Sequence, residues 1–417
     1  MPSFILLIVA LLAFSLKRSK IPALIVFTCI LIPLEVRYQV GTLNFNSIRI
    51  IAFALILRST LLGEKSILPL SIKITIALYS FLFFLASFFH QGNASGPMYV
   101  SGLILQTIGI LYSFSVYAID RDSLPKFFVH TLQAIIIIAP VMLIERITGY
   151  SLIKDLFDVQ FTSDVRNNEF RASGPFAHPI LAGISVAAAI PFSWAIKDTH
   201  PFTFKISLIS IGLCIYASNS SSPFIISAFA IYLLFLHYKP GLIRLTIFCS
   251  VALYFLVEIM WAKPAYFQIA RIDFTGGSAS WYRAELLYQF IRHFKEWYLF
   301  GTDYTKHWMM TGLRMSENHT DLTNHYVHLG VQGGLFPLLL LIILLIRTLY
   351  KSPFALSIRA SIQSKTALDK GQWAALCTLT TFTLAGFSAS FYDQISSLFF
   401  ATIAVCYIQN VDKPKPS

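Results

Sequence analysis

Residues 335–346 read LFPLLLLIILLI, an unbroken apolar run placed directly after Val331-Gln-Gly-Gly334. With its flanks, over 325–349, it is long enough to cross the hydrocarbon core, which takes about 20 residues in a helix. Working outward, stretches of the same kind recur near 3–16, 21–34, 47–62, 67–89, 99–119, 127–147, 175–196, 204–217, 223–237, 241–260, 372–388 and 394–410. The first two are short and read as an interfacial hairpin or one kinked unit, so twelve or thirteen spans are expected. The N-terminal stretch has no basic lead and no small-residue cleavage site, and reads as a retained helix.

Composition agrees. Of 417 residues, 56% are hydrophobic and 12% charged, where a soluble domain carries about a quarter charged. A soluble enzyme, a disordered scaffold and a coiled coil are excluded. The expected fold is all-α: one polytopic membrane helix bundle over 1–417, with no repeat and no second domain. The five cysteines (Cys29, Cys214, Cys249, Cys377, Cys406) all fall in expected spans and imply packing, with no disulfide framework.

The net charge is +12, from 32 Lys+Arg against 20 Asp+Glu. The cations cluster in alternate loops: Lys17, Arg18 and Lys20, then Arg58 and Lys65, then Arg121 and Lys126, and so on to Lys413 and Lys415. The intervening short loops 90–98, 218–222 and 389–393 hold none. This is the positive-inside pattern, and most of the excess is orientation. It places the C-terminal tail 411–417 in the cytoplasm as a disordered end. It places 148–174 and the long segment 261–324 outside.

Three outer clusters carry chemistry. Residues 171–179, RASGPFAHP, open the span 175–196, with Gly174 and Pro175 as a turn, Pro175 suited to the first helical position, and Arg171 and His178 held at the interface. Residues 281–298, WYRAELLYQFIRHFKEWY, form an amphipathic helix expected to lie on the outer leaflet. Leu287, Ile291, Phe294 and Tyr298 share its apolar face, and Arg292 lies on the polar one. Arg283 sits in its first turn, at a depth that suits a lipid phosphate, or simple snorkelling or pairing with ordinary phospholipid. Residues 316–334, SENHTDLTNHYVHLGVQGG, are the densest polar cluster. Thr320, Asp321 or Thr323 can cap a helix there, and Asp321, His325 and His328 would then share a face. A carboxylate behind a histidine is what a general base needs. The bland alternatives are a simple cap and an interfacial aromatic. His319, Asp321, His325 and His328 have metal-ligand chemistry but no metal-binding spacing, so no metal is expected. Asp120-Arg-Asp122 is read as a solvated loop.

These clusters, in this order, resemble the O-antigen ligase/polymerase superfamily of bacterial membrane proteins. The likeness covers about 165–346. It rests on Arg171-x-x-Gly174-Pro-Phe-x-His178-Pro-Ile, on Tyr282-Arg283 followed by Phe290-Ile291-x-x-Phe-x-x-Trp297-x-Leu-Phe-Gly301, and on Asp321-Leu-Thr-Asn324-x-Tyr326 with Gly330-x-x-Gly333-Gly334-Leu. The resemblance implies transfer of a glycan from a polyprenyl-pyrophosphate carrier to an acceptor hydroxyl, in a glycan or a lipid core. That would occur at the outer face of the bacterial inner membrane, without cofactor, metal or nucleic acid. It implies His319 or His325, with Asp321, as catalytic residues, and Arg171, His178, Arg283, Arg292, Asn324 and Tyr326 as substrate-binding. His319 is followed by Thr320 where family ligases often have Asn or Ser. Ser218-Asn-Ser-Ser-Ser222 lacks an arginine many members carry. Polymerase and ligase are not separated by these motifs. The rival class is a transporter or flippase of the same lipid-linked glycan.

Overall fold

The computed structural model describes residues 2–41, 43–90, 96–118, 123–271, 280–309, 317–364, 368–392 and 394–408. Asp120, Arg121 and Asp122, Lys365 and the tail 411–417 lie outside the described residues. The chain is all-α with two small hairpins. Its N-terminal half contains α1 (Pro2–Ser15), α2 (Ile21–Leu31), the hairpin β1 (Arg37–Val40) and β2 (Leu43–Asn46), α3 (Ser47–Leu61), α4 (Leu70–Ser87), α5 (Pro97–Tyr117) and α6 (Ser123–Thr148). Then come α7 (Leu152–Leu156), the hairpin β3 (Asp164–Arg166) and β4 (Glu169–Arg171), α8 (Pro179–Ala187), α9 (Ile190–Ala195), α10 (Pro201–Ser218), α11 (Ser221–Tyr238) and α12 (Leu242–Met260). The remainder holds α13 (Ser280–Arg292), α14 (Phe294–Trp297), α15 (His325–Gly333), α16 (Leu335–Lys351), α17 (Pro353–Ser364), α18 (Lys370–Ala385) and α19 (Gln394–Val405).

Seven helical stretches among the described residues are long and apolar enough to cross a membrane, and shorter apolar helices fill other expected spans. The protein is a multi-pass membrane protein. Starts are marked as the physics requires. Proline opens α2, α5, α8, α9 and α10, where its missing N–H costs nothing. The Asn46 and Asp369 side chains cap α3 and α18 by accepting the Arg49 and Gln372 amides at 2.8 and 2.9 Å. Every residue of α19 is buried, so it is the central helix, and Phe114, Phe128, Phe176, Phe399 and Phe400 fill the core around it. At the other extreme, α12 has no buried residue. Its Cys249 is exposed, unlike the other four cysteines, which pack internally as expected.

Three expected continuous helices are broken. The span 175–196 is α8 and α9, because Pro191 has no N–H to bond the Ala187 carbonyl. Its first helical residue is Pro179, with His178 as the cap, and not Pro175. The stretch 281–298 breaks at His293 into α13 and α14. The span 325–349 breaks at Gly334, whose φ of +81° and ψ of −172° are open essentially to glycine alone. There the Leu335 amide, which would bond the Val331 carbonyl in a continuous helix, donates to the Tyr298 carbonyl at 2.9 Å, while the Val331 carbonyl accepts from the Thr302 amide at 2.8 Å. The 298–302 corner therefore completes the broken ladder. It approaches so closely that a Cβ on Gly301 would lie 2.2 Å from the Val331 oxygen.

Candidate active site

A cavity of about 310 Å³ opens where the starts of α5, α8 and α13, the front of α15 and the α18–α19 link converge. Its walls include Tyr99, His178, Arg283, Asp321, His328 and Tyr392, with Ser388 and Ser390. The far end of α9 leads to Lys197 and the far end of α18 begins at Lys370. The cavity thus lies at the bundle end away from the basic loops.

Arg283 stands on the inward side of α13, whose buried residues are Tyr282, Leu286 and Phe290, with Ser280 and Ala284. The apolar face expected from sequence points elsewhere: Ile291 and Phe294 are exposed. Tyr282 anchors the helix, its hydroxyl meeting Thr320 Oγ1 at 2.6 Å and donating to the Asp321 carbonyl at 2.9 Å. That places Asp321 opposite Arg283. Burial lowers the Arg283 guanidinium's basicity, with Arg166 adding to the effect and Asp321 opposing it. Burial raises the Asp321 carboxyl, with Arg283 opposing. The Arg283 Nε is buried with no hydrogen-bond partner, an unmet donor at a cavity wall. Arg292 is exposed and does not line the cavity.

Arg171 is differently employed. β3 and β4 are joined by Asn167 and Asn168, both at positive φ (52° and 60°), the tight turn that matches strand twist. At the hairpin's base Arg171 donates to Asp164 at 2.9 Å and to Ser220 Oγ at 2.6 Å. It pins the hairpin to the Ser218–Ser222 turn. The segment after it is fixed by Glu145, fully buried, whose carboxylate accepts from the Ser173 amide (2.7 Å), the Gly174 amide (3.1 Å) and the Ser151 hydroxyl (2.8 Å). This leads to His178. Its Nδ1 accepts the Ile180 amide at 3.1 Å, so Nε2 carries the proton of the neutral ring. That nitrogen lies 3.9 Å from Asp164.

The histidines separate. The helix cap is Asn324, not Thr320, Asp321 or Thr323: its Oδ1 accepts the Tyr326 and Val327 amides at 2.9 and 3.2 Å. Helix α15 starts at His325, so Asp321 lies outside it and does not back His325. His325 is stacked on Phe391 and accepts the Phe391 amide at 3.3 Å, with its Nε2 buried and unpartnered. It faces a smaller internal void of about 40 Å³. His319 bonds Thr305 at 3.2 Å, away from the cavity wall, and burial lowers its basicity, opposed by Asp303. Tyr326 donates to the Thr383 carbonyl at 2.7 Å, and Asn324 is occupied by its cap. Neither lines the cavity. The ring that does is His328, which hydrogen-bonds Gln332 and keeps Nδ1 unpartnered.

Of the expected site residues, the cavity unites His178, Arg283 and Asp321. His328 belongs to the same sequence cluster, on the face shared with His325, but is not among the expected site residues. Tyr99, Ser388, Ser390 and Tyr392 carry no sequence signal beyond lying at or beside the ends of expected spans, next to loops without Lys or Arg. Glu145 carried one, as a carboxylate inside an apolar span.

No protein-family model matches the chain. No curated protein matches it in sequence.

Proposed function

We propose that the protein transfers a glycan from a polyprenyl-pyrophosphate carrier to an acceptor hydroxyl, as polymerase or ligase, at the outer face of a bacterial inner membrane. One observation carries the reading. A cavity at the end away from the basic loops joins an arginine with an unmet donor, a carboxylate and two histidines, all from the three clusters that resemble the superfamily. In this mechanism Arg283 and the His178 Nε2–H meet the pyrophosphate, whose charge grows as it leaves. The acceptor oxygen bonds the anomeric carbon while the carbon–phosphate oxygen bond breaks. The hydroxyl proton passes to the unpartnered Nδ1 of His328. Attack opposite the leaving group inverts the anomeric centre. Arg171 and Glu145 hold the strap that positions His178.

The test is transfer by purified protein in detergent with lipid-linked donor and acceptor. Product without a sealed membrane supports transfer. Movement of donor across vesicles with no new glycosidic bond overturns it in favour of a flippase. Among transferases, single surface repeats in a strain lacking the protein mark a polymerase, and full-length chains retained on the carrier mark a ligase.

A further inference from the structure

Outside the cavity, a second cluster stands at the corner where α13 meets α14. His293 occupies the break, Glu296 follows one turn later, and His307 arrives from the short helical turn Lys306–Trp308. Their ligand atoms all lie within 4.8 Å of one another. The Glu296 Oε1 is 2.7 Å from His293 Nδ1 and 3.1 Å from His307 Nε2. We infer that His293, Glu296 and His307 form a site for a borderline divalent cation of the Zn²⁺ type.

The ligand set suits that class. Two imidazole nitrogens and one carboxylate favour zinc over magnesium or calcium, which prefer oxygen alone. Tetrahedral zinc with bonds of about 2.0–2.2 Å spaces its donors about 3.3 Å apart. To reach it the 2.7 Å separation of His293 from Glu296 must open, and the two ring nitrogens, within 4.8 Å of each other, must settle to the same spacing, both by side-chain rotation.

The surroundings are built for it. Trp308 Nε1–H donates to Glu296 Oε2 at 2.9 Å, which orients the carboxylate, with Oε1 at His293 and both oxygens near His307 Nε2, at 3.1 and 3.0 Å. The His293 ring stacks on Trp308 with planes 14° apart, and His307 stacks on Tyr304 at 8°. Each imidazole is thus held in plane by an aromatic neighbour. The side chains of His307 and Glu296 are more than a third exposed, so a fourth position is open to water. Binding replaces the two imidazole N–H bonds on Glu296 with metal–nitrogen bonds and releases any proton held on either ring at its binding nitrogen. The bound ion would join the 304–308 turn to the α13–α14 corner, stiffening the segment that carries Arg283 without entering the reaction.

The full-length protein is purified in detergent, stripped with EDTA and titrated with ZnCl₂ at pH 7.5. Wild type should retain one equivalent after desalting, show a higher Tm with zinc, and give the visible bands of tetrahedral cobalt when Co²⁺ replaces it. The His293→Gln/His307→Gln variant should bind at least tenfold more weakly and show no zinc-dependent Tm shift, whereas His319→Gln should behave as wild type. Wild type that retains no zinc, or a double variant that retains as much as wild type, overturns the assignment. The wild-type measurement decides the first of these even if the variant fails to fold.

Discussion

Val331 and Leu335 are partners in sequence but not in bonding: the Leu335 amide goes to Tyr298 and the Val331 carbonyl to Thr302. The consequence is a sharp dependence on two glycines. Gly301, at φ +89°, and Gly334, at φ +81°, each place an imagined Cβ within 2.3 Å of a backbone carbonyl oxygen. Gly301→Ala and Gly334→Ala should each cost about 2 kcal/mol or more, from the positive φ and the clash together. Thermal unfolding in detergent measures it. A variant with unchanged Tm would contradict the docking of the two corners.

Arg283 and Arg171 should respond differently to the same change. Lysine lacks the planar fork. Arg283→Lys is expected to reduce transfer by about 10²-fold with little change in Tm. In Arg171→Lys the fork that reaches Asp164 and Ser220 is lost, so Tm should fall and activity should follow it. Equal Tm losses in both, measured beside the transfer assay, would put Arg283 in a structural role.

The three candidate histidines are ranked by access. His328→Ala should lower the transfer rate by about 10²-fold or more, within the range of a lost general base. His319→Ala should cost less. His325→Ala, at a site packed against Phe391 and Phe399, should act through stability. Single-turnover rates at matched protein levels separate them, and a silent His328→Ala refutes its role.

Asp321 makes a pH prediction. Its folded carboxyl titrates above the unfolded value because burial disfavours its charge. The charged form therefore costs stability above the raised folded value, and that cost fades as pH falls through it toward the unfolded one. Over the same window the charge facing Arg283 disappears, so affinity for a pyrophosphate analogue should rise as pH falls. Asp321→Asn should remove the slope. Titrations of both proteins check it, and identical slopes would exclude Asp321.

The helices were legible because uninterrupted apolar runs have no alternative use at this length. The breaks were not, since Gly334 and Pro191 each act through a distant or backward partner that spacing does not reveal. Over 282–294 two apolar stripes compete, Tyr282–Leu286–Phe290 and Leu287–Ile291–Phe294. Beside a membrane both protein and lipid are apolar, so periodicity alone does not choose the inward one. Near His325 four residues can cap; the expected helix start at Thr320, Asp321 or Thr323 puts Asp321 on a face with His325, and the actual cap at Asn324 removes that pair. The Asn167–Asn168 pair signals a tight turn, but nothing in spacing ties the Arg171 that follows it to Ser220, 49 residues on.

Helix α12 has no buried residue and touches the rest of the chain lightly, as at Ile243 and Thr246 near its start. Its 19 residues, at 1.5 Å each, make about 28 Å, close to the thickness of a bilayer's hydrocarbon core of about 30 Å. Its depth is therefore set by hydrophobic matching to the lipid and not by protein packing. The segment it feeds leads to α13, so the surrounding membrane's thickness acts as a mechanical reference for the height at which that segment is anchored.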